Sequence, residues 1–545
     1  MNEIKISRGQ FPTLFGGIGF QNSEQMFYHI TGKEHFNQIV AKCYREISPG
    51  FSRMFAGFAD WSKEAMDEFC IYYEQMQKST DTPIYFTPSA GRMHFSDEEI
   101  RDYCERVADN LAYLYFEKGV KHIRYYCFSN ELSQVKHGVL INDLPLLKKY
   151  HELFYRAFQN RNLPVGLLAT DATGYSALHT IDWAIENMPR ITEDFCWHVY
   201  EGYEHDFDIY NKEYYEFFHK KCSELVKKCI ACDGKRLILG EIGIQKLPLL
   251  KSNGMVVDIN NYFLNERDNR YCALMLTEMA YAAMNAGVYI VNYWTYMDYP
   301  EPYSCAYSTT DGYPKKWGEI ERFVSATSDY KYNQWGLLRW EENKTSVARP
   351  IYWALGLLAK FFKRNSRILD ITTENPMLRA CGVINRDGSV SVGIINRSEN
   401  ETEINLMTEI FKKPIRVYEY IADNIPFNEF SDLQNYSDIL AKDGGKYVLK
   451  PSSITYFTTD YVEKNSTLFA KGVRRKGETL TWRTVKDKNH CYYRVYASKE
   501  KDFIPNQKNQ IASTIANSLP ITKKKQYYKV ISVDNSGNGI MEVKR

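Results

Sequence analysis

Short apolar runs alternate with longer stretches of helical periodicity from Phe15 to about Phe362, and this alternation constrains the fold of the 545-residue chain more than any other feature. Each run has the length and composition of a buried strand, and segments such as 96–118 and 141–161 carry apolar residues at helical spacing. Repeated strand–helix units predict a parallel sheet covered by helices. Strand-like runs lie at 15–20, 51–55, 83–87, 122–128, 164–169, 194–200, 236–240 and 288–294. Eight units in about 350 residues predict a closed (β/α)8 barrel, an α/β fold.

The sequence changes texture after Leu358. Residues 366–462 hold short alternating runs separated by turn signals such as Asp387-Gly388, which is typical of an antiparallel β-sandwich. Residues 463–545 resemble a fibronectin type III module, with Trp482 in its core and a tyrosine near the start of a late strand. We therefore predict a barrel at 1–365, a β-sandwich at 366–462 and a fibronectin type III-like β-sandwich with a structural role at 463–545.

Length and charge bound the classes of protein to which the chain can belong. A chain of 545 residues exceeds a single hydrophobic core, so two or three domains are expected. The net charge of +2, with both signs scattered, disfavours nucleic acid and membrane partners. Residues 1–8 lack an apolar signal region, and no run reaches the roughly 18 apolar residues of a membrane span. The predicted location is cytoplasmic, although a secreted protein with a trimmed signal peptide would look identical.

The sequence predicts neither a metal nor an organic cofactor. Twelve dispersed cysteines fit reduced thiols better than a disulfide framework. Cys229 and Cys232 have ligand-like spacing but no second ligand pair nearby, whereas a structural zinc site needs four ligands. Gly17 and Gly19 lack the third glycine of a dinucleotide-binding loop, and no phosphate-loop or Gly-x-Ser-x-Gly motif is present.

Two glutamates, Glu131 and Glu241, follow the fourth and seventh strand-like runs. A glutamate in such a position often caps a helix or pairs with a surface cation. In a barrel, however, the carboxyl ends of the strands meet at the rim where catalytic side chains gather. Two carboxyls facing each other suffice to hydrolyse a glycosidic bond, because one protonates the leaving oxygen while the other attacks the sugar carbon. We predict that they lie about 5 Å apart, as a retaining mechanism requires.

The pattern resembles the superfamily of retaining glycosidases that carries its acid/base on strand four and its nucleophile on strand seven. The resemblance implies that Glu131 is the acid/base and Glu241 the nucleophile, with Arg53 beside Glu241 lowering its pKa and Tyr200 donating a hydrogen bond to it. Other residues that match the superfamily or follow strand ends are predicted to bind the sugar: Asn130, Arg53, His198, Tyr200, Trp294 and Trp61. Weaker candidates of the same kind are Asp60, Arg92, His94, Asp171, Asp298 and Glu301.

The order of barrel, sandwich and fibronectin-like module further resembles the β-xylosidase and α-L-iduronidase family, and 349–358 resembles the helix that closes such barrels. The resemblance implies an exo-acting β-glycosidase on oligosaccharides. That family usually reads Trp-Asn-Glu-Pro where this chain reads Ser129-Asn130-Glu131-Leu132, which weakens any inference about the sugar. Galactosidase, arabinofuranosidase or uronidase specificity, and a catalytically inactive glycan-binding barrel, remain alternatives.

Overall fold

The computed structural model describes residues 2–9, 11, 13–22, 32–56, 59, 61–88, 96–132, 138–201, 212–244, 266–297, 299–300, 332–333, 336–340, 346–407, 409–463, 468–522 and 526–537. Its centre is a closed barrel of eight parallel strands. After an N-terminal strand β1 (Asn2–Arg8), the barrel strands are β2 (Gly17–Asn22), β3 (Phe51–Phe55), β4 (Ile84–Thr87), β5 (Ile123–Cys127), β6 (Gly166–Thr173), β7 (Asp194–Glu201), β8 (Leu237–Ile244) and β9 (Ile290–Tyr293). The predicted (β/α)8 barrel is confirmed, and each strand overlaps one of the predicted runs, although β2, β6 and β8 extend beyond theirs.

The barrel closes through pairing of β2 with β9, where Gly17 is the partner of Ile290. The part of its interior nearer the amino ends of the strands is filled by large side chains, among them Phe51 and Tyr125, whose rings stack with their centroids 5.8 Å apart. Because this part of the interior is packed, the space for a ligand is restricted to the carboxyl ends of the strands.

Helices connect the barrel strands and cover them from outside. Among the described residues, the α-helices are Lys33–His35, Ala41–Ile47, Lys63–Gln75, Gln77–Thr80, Asp97–Ala112, Gly138–Asn142, Leu144–Asn160, Leu178–Asn187, Lys212–Ala231, Glu266–Asn285 and Pro350–Phe361; Phe36–Val40 and Tyr113–Glu117 are π-helical and Gln507–Asn509 is a 3₁₀ turn. The predicted helix at 141–161 is divided at Asp143, whose side chain caps the second helix by accepting from the Leu146 amide at 3.0 Å.

A β-sandwich follows the barrel. Short strands β10 (Tyr299–Pro300), β11 (Tyr332–Asn333), β12 (Leu338–Trp340) and β13 (Ser346–Ala348) precede β14 (Arg367–Thr373), β15 (Leu378–Ile384), β16 (Val390–Asn396), β17 (Thr402–Met407), β18 (Ile415–Ile421), β19 (Asp438–Leu440), β20 (Gly444–Leu449) and β21 (Ser453–Thr458). The strand order is β19-β18-β21-β16-β15-β14-β1-β17-β20. Ile404 and Val417, from opposite ends of this order, share one core, so the sheet folds over on itself.

The N-terminal strand β1 belongs to this sheet, although the predicted boundaries assign residues 1–365 to the barrel. Ile6 pairs with Ile371 in β14, and the side chain of Ile4 is buried in the sandwich core. The alternation of Ile4 and Ile6 with polar and charged residues suits a strand covered on one side only, whereas the barrel strands are buried on both faces along most of their length.

The C-terminal segment forms two three-stranded antiparallel sheets. They contain β22 (Arg474–Lys476), β23 (Thr479–Thr481) and β26 (Ser518–Pro520) on one side, and β24 (His490–Ser498), β25 (Gln510–Thr514) and β27 (Tyr527–Asp534) on the other. Trp482 lies in the core between them, edge-on to Tyr493 at 5.5 Å, as predicted. The Tyr493 hydroxyl accepts from the Val485 amide at 3.0 Å and so anchors the preceding loop.

None of the helices in the described part of the chain is both long and apolar enough to cross a membrane.

Candidate active site

Glu131 and Glu241 meet at the carboxyl end of the barrel. Glu131 follows β5, and Glu241 lies within β8; the two residues are 5% and 4% exposed. One carboxylate oxygen of each, together with a ring nitrogen of His198, lie within 4.8 Å of one another. Glu131 has a left-handed backbone, with φ of 54°, a conformation that non-glycine residues adopt at a cost and that is concentrated at functional sites.

A bulge directs Glu241 into the barrel. Leu239 pairs with Trp197 and Glu241 with His198, so Gly240 is an extra residue in β8. The bulge reverses the inward–outward alternation from this point. A Cβ on Gly240 would lie 2.5 Å from Sγ of Cys196 and 2.7 Å from Nε2 of His198, so only glycine leaves room for the imidazole.

Arg53 bonds to side chains from four positions around the rim. Its Nη1 donates to Oε1 of Glu241 at 2.6 Å and to Oε1 of Gln21 at 2.8 Å. Its Nη2 donates to Oδ1 of Asn130 at 2.6 Å and to Oδ2 of Asp171 at 3.0 Å. Because a guanidinium is planar and Arg53 is fully buried, these bonds fix the orientation of the Glu241 carboxylate.

Tyr200 donates its hydroxyl hydrogen to the other oxygen of Glu241, Oε2. Burial, Glu241 and Glu131 together raise the pKa of Tyr200 well above its usual value, so the phenol stays a donor. Both oxygens of Glu241 thus have a hydrogen-bond donor from the protein.

The pKa of Glu241 differs in direction from the sequence expectation. Burial raises it above the usual glutamate value, while His198 and Arg53 oppose this and Glu131 adds to it. Arg53 therefore lowers this pKa as expected, but the burial effect is larger. The nearby cations keep an ionised Glu241 accessible in a site that otherwise favours the neutral acid.

His198 lies between three carboxylates. Its Nδ1 is 3.3 Å from Oε1 of Glu131 and 3.6 Å from Oε1 of Glu241, and its Nε2 is 2.9 Å from Oδ1 of Asp171. Burial lowers the pKa of His198, but Asp171 and Glu241 outweigh burial and hold it well above the usual histidine value. These contacts favour the imidazolium form of the ring.

The two tryptophans differ in placement. Trp294 is half-buried at the rim, and its ring contacts Phe55 at 5.4 Å, whose own ring lies 5.2 Å from the Arg53 guanidinium. Trp61 packs at 6.1 Å from Phe69 in the outer helical layer, which gives it a packing role; its contact with sugar stays a prediction. Five weaker candidates lie outside the described residues: Asp60, Arg92, His94, Asp298 and Glu301.

The cluster contains two residues that the sequence predicts poorly as members of the site. Asp171 is only a weak candidate for binding sugar, and the sequence pattern does not single out Gln21, yet both bond to Arg53. Both are polar residues at the end of an apolar strand run, which is the signal that identified the glutamates.

Within the residues that the structure describes, two trios have their potential ligand atoms within 4.8 Å of one another: Glu131, His198 and Glu241, and Asp171, Cys196 and His198. In each, Arg53 already contacts one of the carboxylates, and the raised pKa of His198 favours its protonated form, so a metal cation would face two positive groups. These contacts are ion pairs, and the donor set suits proton and glycosyl transfer better than metal binding.

Comparison with known proteins relates the chain to others through its fold. No protein-family model matches the sequence, and no curated protein sequence matches it. A crystal structure described as the bacterial orthologue of human α-L-iduronidase superposes with a TM-score of 0.56 at 12% identity, covering 98% of each chain. The catalytic domain of xylanase C of glycoside hydrolase family 30 from Talaromyces cellulolyticus superposes with a TM-score of 0.54 at 12% sequence identity, covering 84% of this chain and 99% of that one. A family 51 arabinofuranosidase from Xanthomonas axonopodis pv. citri superposes with a TM-score of 0.53 at 12% sequence identity, covering 84% of this chain and 99% of that one. The chain thus has the fold of these glycoside hydrolases, and the first superposition spans all three of its segments.

Proposed function

We propose that this protein is a retaining glycoside hydrolase in which Glu241 is the nucleophile and Glu131 the acid/base. The observation that carries the proposal is that one oxygen of each carboxylate lies within 4.8 Å of an oxygen of the other. Retaining enzymes hold these groups at about 5–5.5 Å, whereas inverting enzymes need about 6.5–9.5 Å to admit a water molecule. The shared fold with family 30 and family 51 glycoside hydrolases and with the iduronidase adds support.

The reaction proceeds in two displacements. First, ionised Glu241 attacks the anomeric carbon while Glu131 gives its proton to the departing glycosidic oxygen, which leaves a glycosyl ester on Glu241 and a carboxylate on Glu131. Next, Glu131 takes a proton from a water molecule as the water oxygen attacks the anomeric carbon, and the ester bond to Glu241 breaks. Arg53 and Tyr200 orient Glu241 in both steps.

For the substrate, we propose an exo-acting β-glycosidase on oligosaccharides, similar to a β-xylosidase. This finer assignment is supported by the three-segment layout shared with the iduronidase structure over 98% of the chain. A panel of aryl β-xyloside, glucoside, galactoside, arabinoside and glucuronide tests it. The aryl xyloside should be hydrolysed fastest. Faster hydrolysis of another glycoside would change the proposed sugar specificity but not the reaction class. If no glycoside in the panel is hydrolysed, the glycan-binding alternative is favoured.

The roles of the two glutamates are separable by substitution. Glu241→Ala should lower turnover of every substrate by several powers of ten, roughly 10⁴-fold or more, because no glycosyl ester can form. Glu131→Ala should release a burst of phenol from a dinitrophenyl glycoside and then turn over slowly, since an acidic leaving group needs no proton but water needs a base.

Azide provides the decisive measurement, because it attacks without a base. It should accelerate Glu131→Ala and yield a glycosyl azide of retained configuration. Glu193→Ala, at the opposite end of β7 where Glu193 pairs with Arg124 at 2.5 Å, serves as the control and should keep wild-type kinetics. An azide product of inverted configuration, or near wild-type activity in Glu241→Ala, would refute the assigned roles.

A further inference from the structure

Asp171 contacts Arg53 and His198, the two cations that also contact Glu241. It is fully buried at the bulge in β6 and has a left-handed backbone with φ of 56°. Its Oδ2 accepts from Arg53 at 3.0 Å, and its Oδ1 lies 2.9 Å from Nε2 of His198 and accepts from the Tyr85 hydroxyl at 2.6 Å. Asp171 is thus placed to control the charge of His198.

Both ring nitrogens of His198 lie close to carboxylate oxygens. Nε2 is 2.9 Å from Oδ1 of Asp171, an ion-pair contact without hydrogen-bond alignment, whereas Nδ1 is within hydrogen-bond distance of Glu131 and 3.6 Å from Oε1 of Glu241. A neutral imidazole would present the lone pair of one nitrogen to a carboxylate oxygen. The three carboxylates therefore favour the imidazolium.

The charged and titratable groups around the ring are few. Arg53, Glu131, Asp171, Cys196 and Glu241 surround His198 in the described part of the barrel. Burial raises the pKa of the Cys196 thiol to about 12, so it is neutral. With Glu131 protonated, the cations Arg53 and His198 balance the carboxylates of Asp171 and Glu241, and the buried cluster has no net charge.

We propose that Asp171 is a positioning residue that keeps His198 protonated, so that the imidazolium charge serves both catalytic carboxylates in turn. In this structure Nδ1 hydrogen-bonds Oε1 of Glu131 at 3.3 Å and lies 3.6 Å from Oε1 of Glu241, an ion-pair distance. Before glycosyl transfer the imidazolium is paired with the ionised Glu241; afterwards Glu241 is an ester and the negative charge is on Glu131, which Nδ1 already contacts. The cation therefore serves each charge without moving to a new site. This inference rests on the proposed glycosidase function.

The test replaces Asp171 by Asn, which has the same shape and also tolerates the left-handed backbone. Asp194→Asn is the matched control: Asp194 is likewise buried and accepts from Arg236 at 2.6 Å and Tyr125 at 2.5 Å, but at the opposite end of the barrel. The first readout is independent of substrate. It is the NMR spectrum of ¹³C-histidine-labelled full-length protein. The His198 signal is identified as the one missing from the spectrum of His198→Asn.

At pH 8, where an ordinary histidine with a pKa of about 6.5 is neutral, we expect His198 to be an imidazolium in wild type and Asp194→Asn and neutral in Asp171→Asn. A neutral His198 in wild type, or a charged one in Asp171→Asn, would overturn the inference. If Asp171→Asn does not fold, a neutral His198 in wild type still overturns the inference.

The second readout is the pH profile of kcat/KM. Loss of the His198 charge raises the pKa of Glu241. In Asp171→Asn the acid limb of the kcat/KM profile should therefore move up by about one pH unit, and kcat should fall roughly 10²-fold. The profile of Asp194→Asn should not move. An unchanged acid limb in Asp171→Asn refutes the positioning role while leaving the glycosidase intact. If wild type hydrolyses no glycoside, the proposed function fails, and the histidine measurement still decides the charge of His198.

Discussion

Arg53 organises the site at the scale of single residues. Its two terminal nitrogens serve four acceptors, two of them charged, and the ring faces of Phe55 and Tyr85 each lie 5.2 Å from the guanidinium carbon. A planar group with two terminal nitrogens fits this arrangement, whereas the point charge of a lysine cannot bridge acceptors on both sides.

Replacement of Arg53 by Lys should therefore lower kcat by at least about 100-fold although the charge is kept, because Glu241 loses its fixed orientation. Steady-state kinetics on an aryl glycoside measure this. Arg236→Lys is the control, since Arg236 bridges Asp194 and Tyr125 at the amino end of the barrel and should affect stability only. An Arg53→Lys variant with wild-type kcat would show that charge alone suffices.

At the scale of elements, two bulges determine which side chains enter the site. In β6 the pairing with β7 passes from Thr170 to Ala172, and in β8 it passes from Leu239 to Glu241. Strict alternation from Leu168 and Ile238, both inside the barrel, would point Asp171 and Glu241 outward. Each bulge reverses the alternation and brings the carboxylate inward.

These bulges explain where prediction from the sequence succeeds and where it stops. All eight barrel strands are predictable because each is a compact apolar run, and Glu241 is predictable through its place after the seventh run. Asp171 could not be ranked above other polar residues at strand ends, because a bulge has no strong local signal. The membership of β1 in the sandwich is likewise not predictable from local sequence, because its partner β14 lies more than 350 residues away along the chain.

The bulge in β8 makes Gly240→Ala an informative substitution. The added methyl would lie 2.5 Å from Sγ of Cys196 and 2.7 Å from Nε2 of His198, so we expect a loss of about 2 kcal/mol in stability and a displaced imidazole. Adding Cys196→Ala removes the first clash and should restore part of the thermal midpoint but little activity. If the thermal midpoint and the activity both recover, the methyl group at position 240 does not displace His198.

At the scale of the whole molecule, a buried ion network joins the three segments. Asp432, in the sandwich segment, lies 2.9 Å from Lys42 of the barrel helix Ala41–Ile47 and 3.0 Å from Arg494 in β24 of the C-terminal module. Gln510 and Ser513 of the same module also donate to Asp432, each at 3.0 Å. One carboxylate thus contacts all three segments, which is consistent with the predicted structural role of the C-terminal module.

Loss of this carboxylate should destabilise the molecule in a pH-dependent manner. Burial favours the neutral form of Asp432, but Arg494 and Lys42 outweigh it and hold the pKa below the usual aspartate value. A lowered folded-state pKa stabilises the fold at pH values above the unfolded pKa of about 4, and this stability is lost as the pH falls through the folded-state pKa. Asp432→Asn should cost about 3 kcal/mol at pH 7, because two buried cations lose their partner.

Thermal unfolding of wild type and Asp432→Asn between pH 7 and pH 3 tests this linkage. The gap between their midpoints should be widest near neutrality and narrow below about pH 4, where the carboxyl of the unfolded wild-type chain begins to take up a proton before the folded one does. Asp443→Asn, at an exposed position of the same segment, should give no gap at any pH. A gap that stays constant down to pH 3 would mean that Asp432 acts through shape and hydrogen bonds, and that its charge does not hold the segments together.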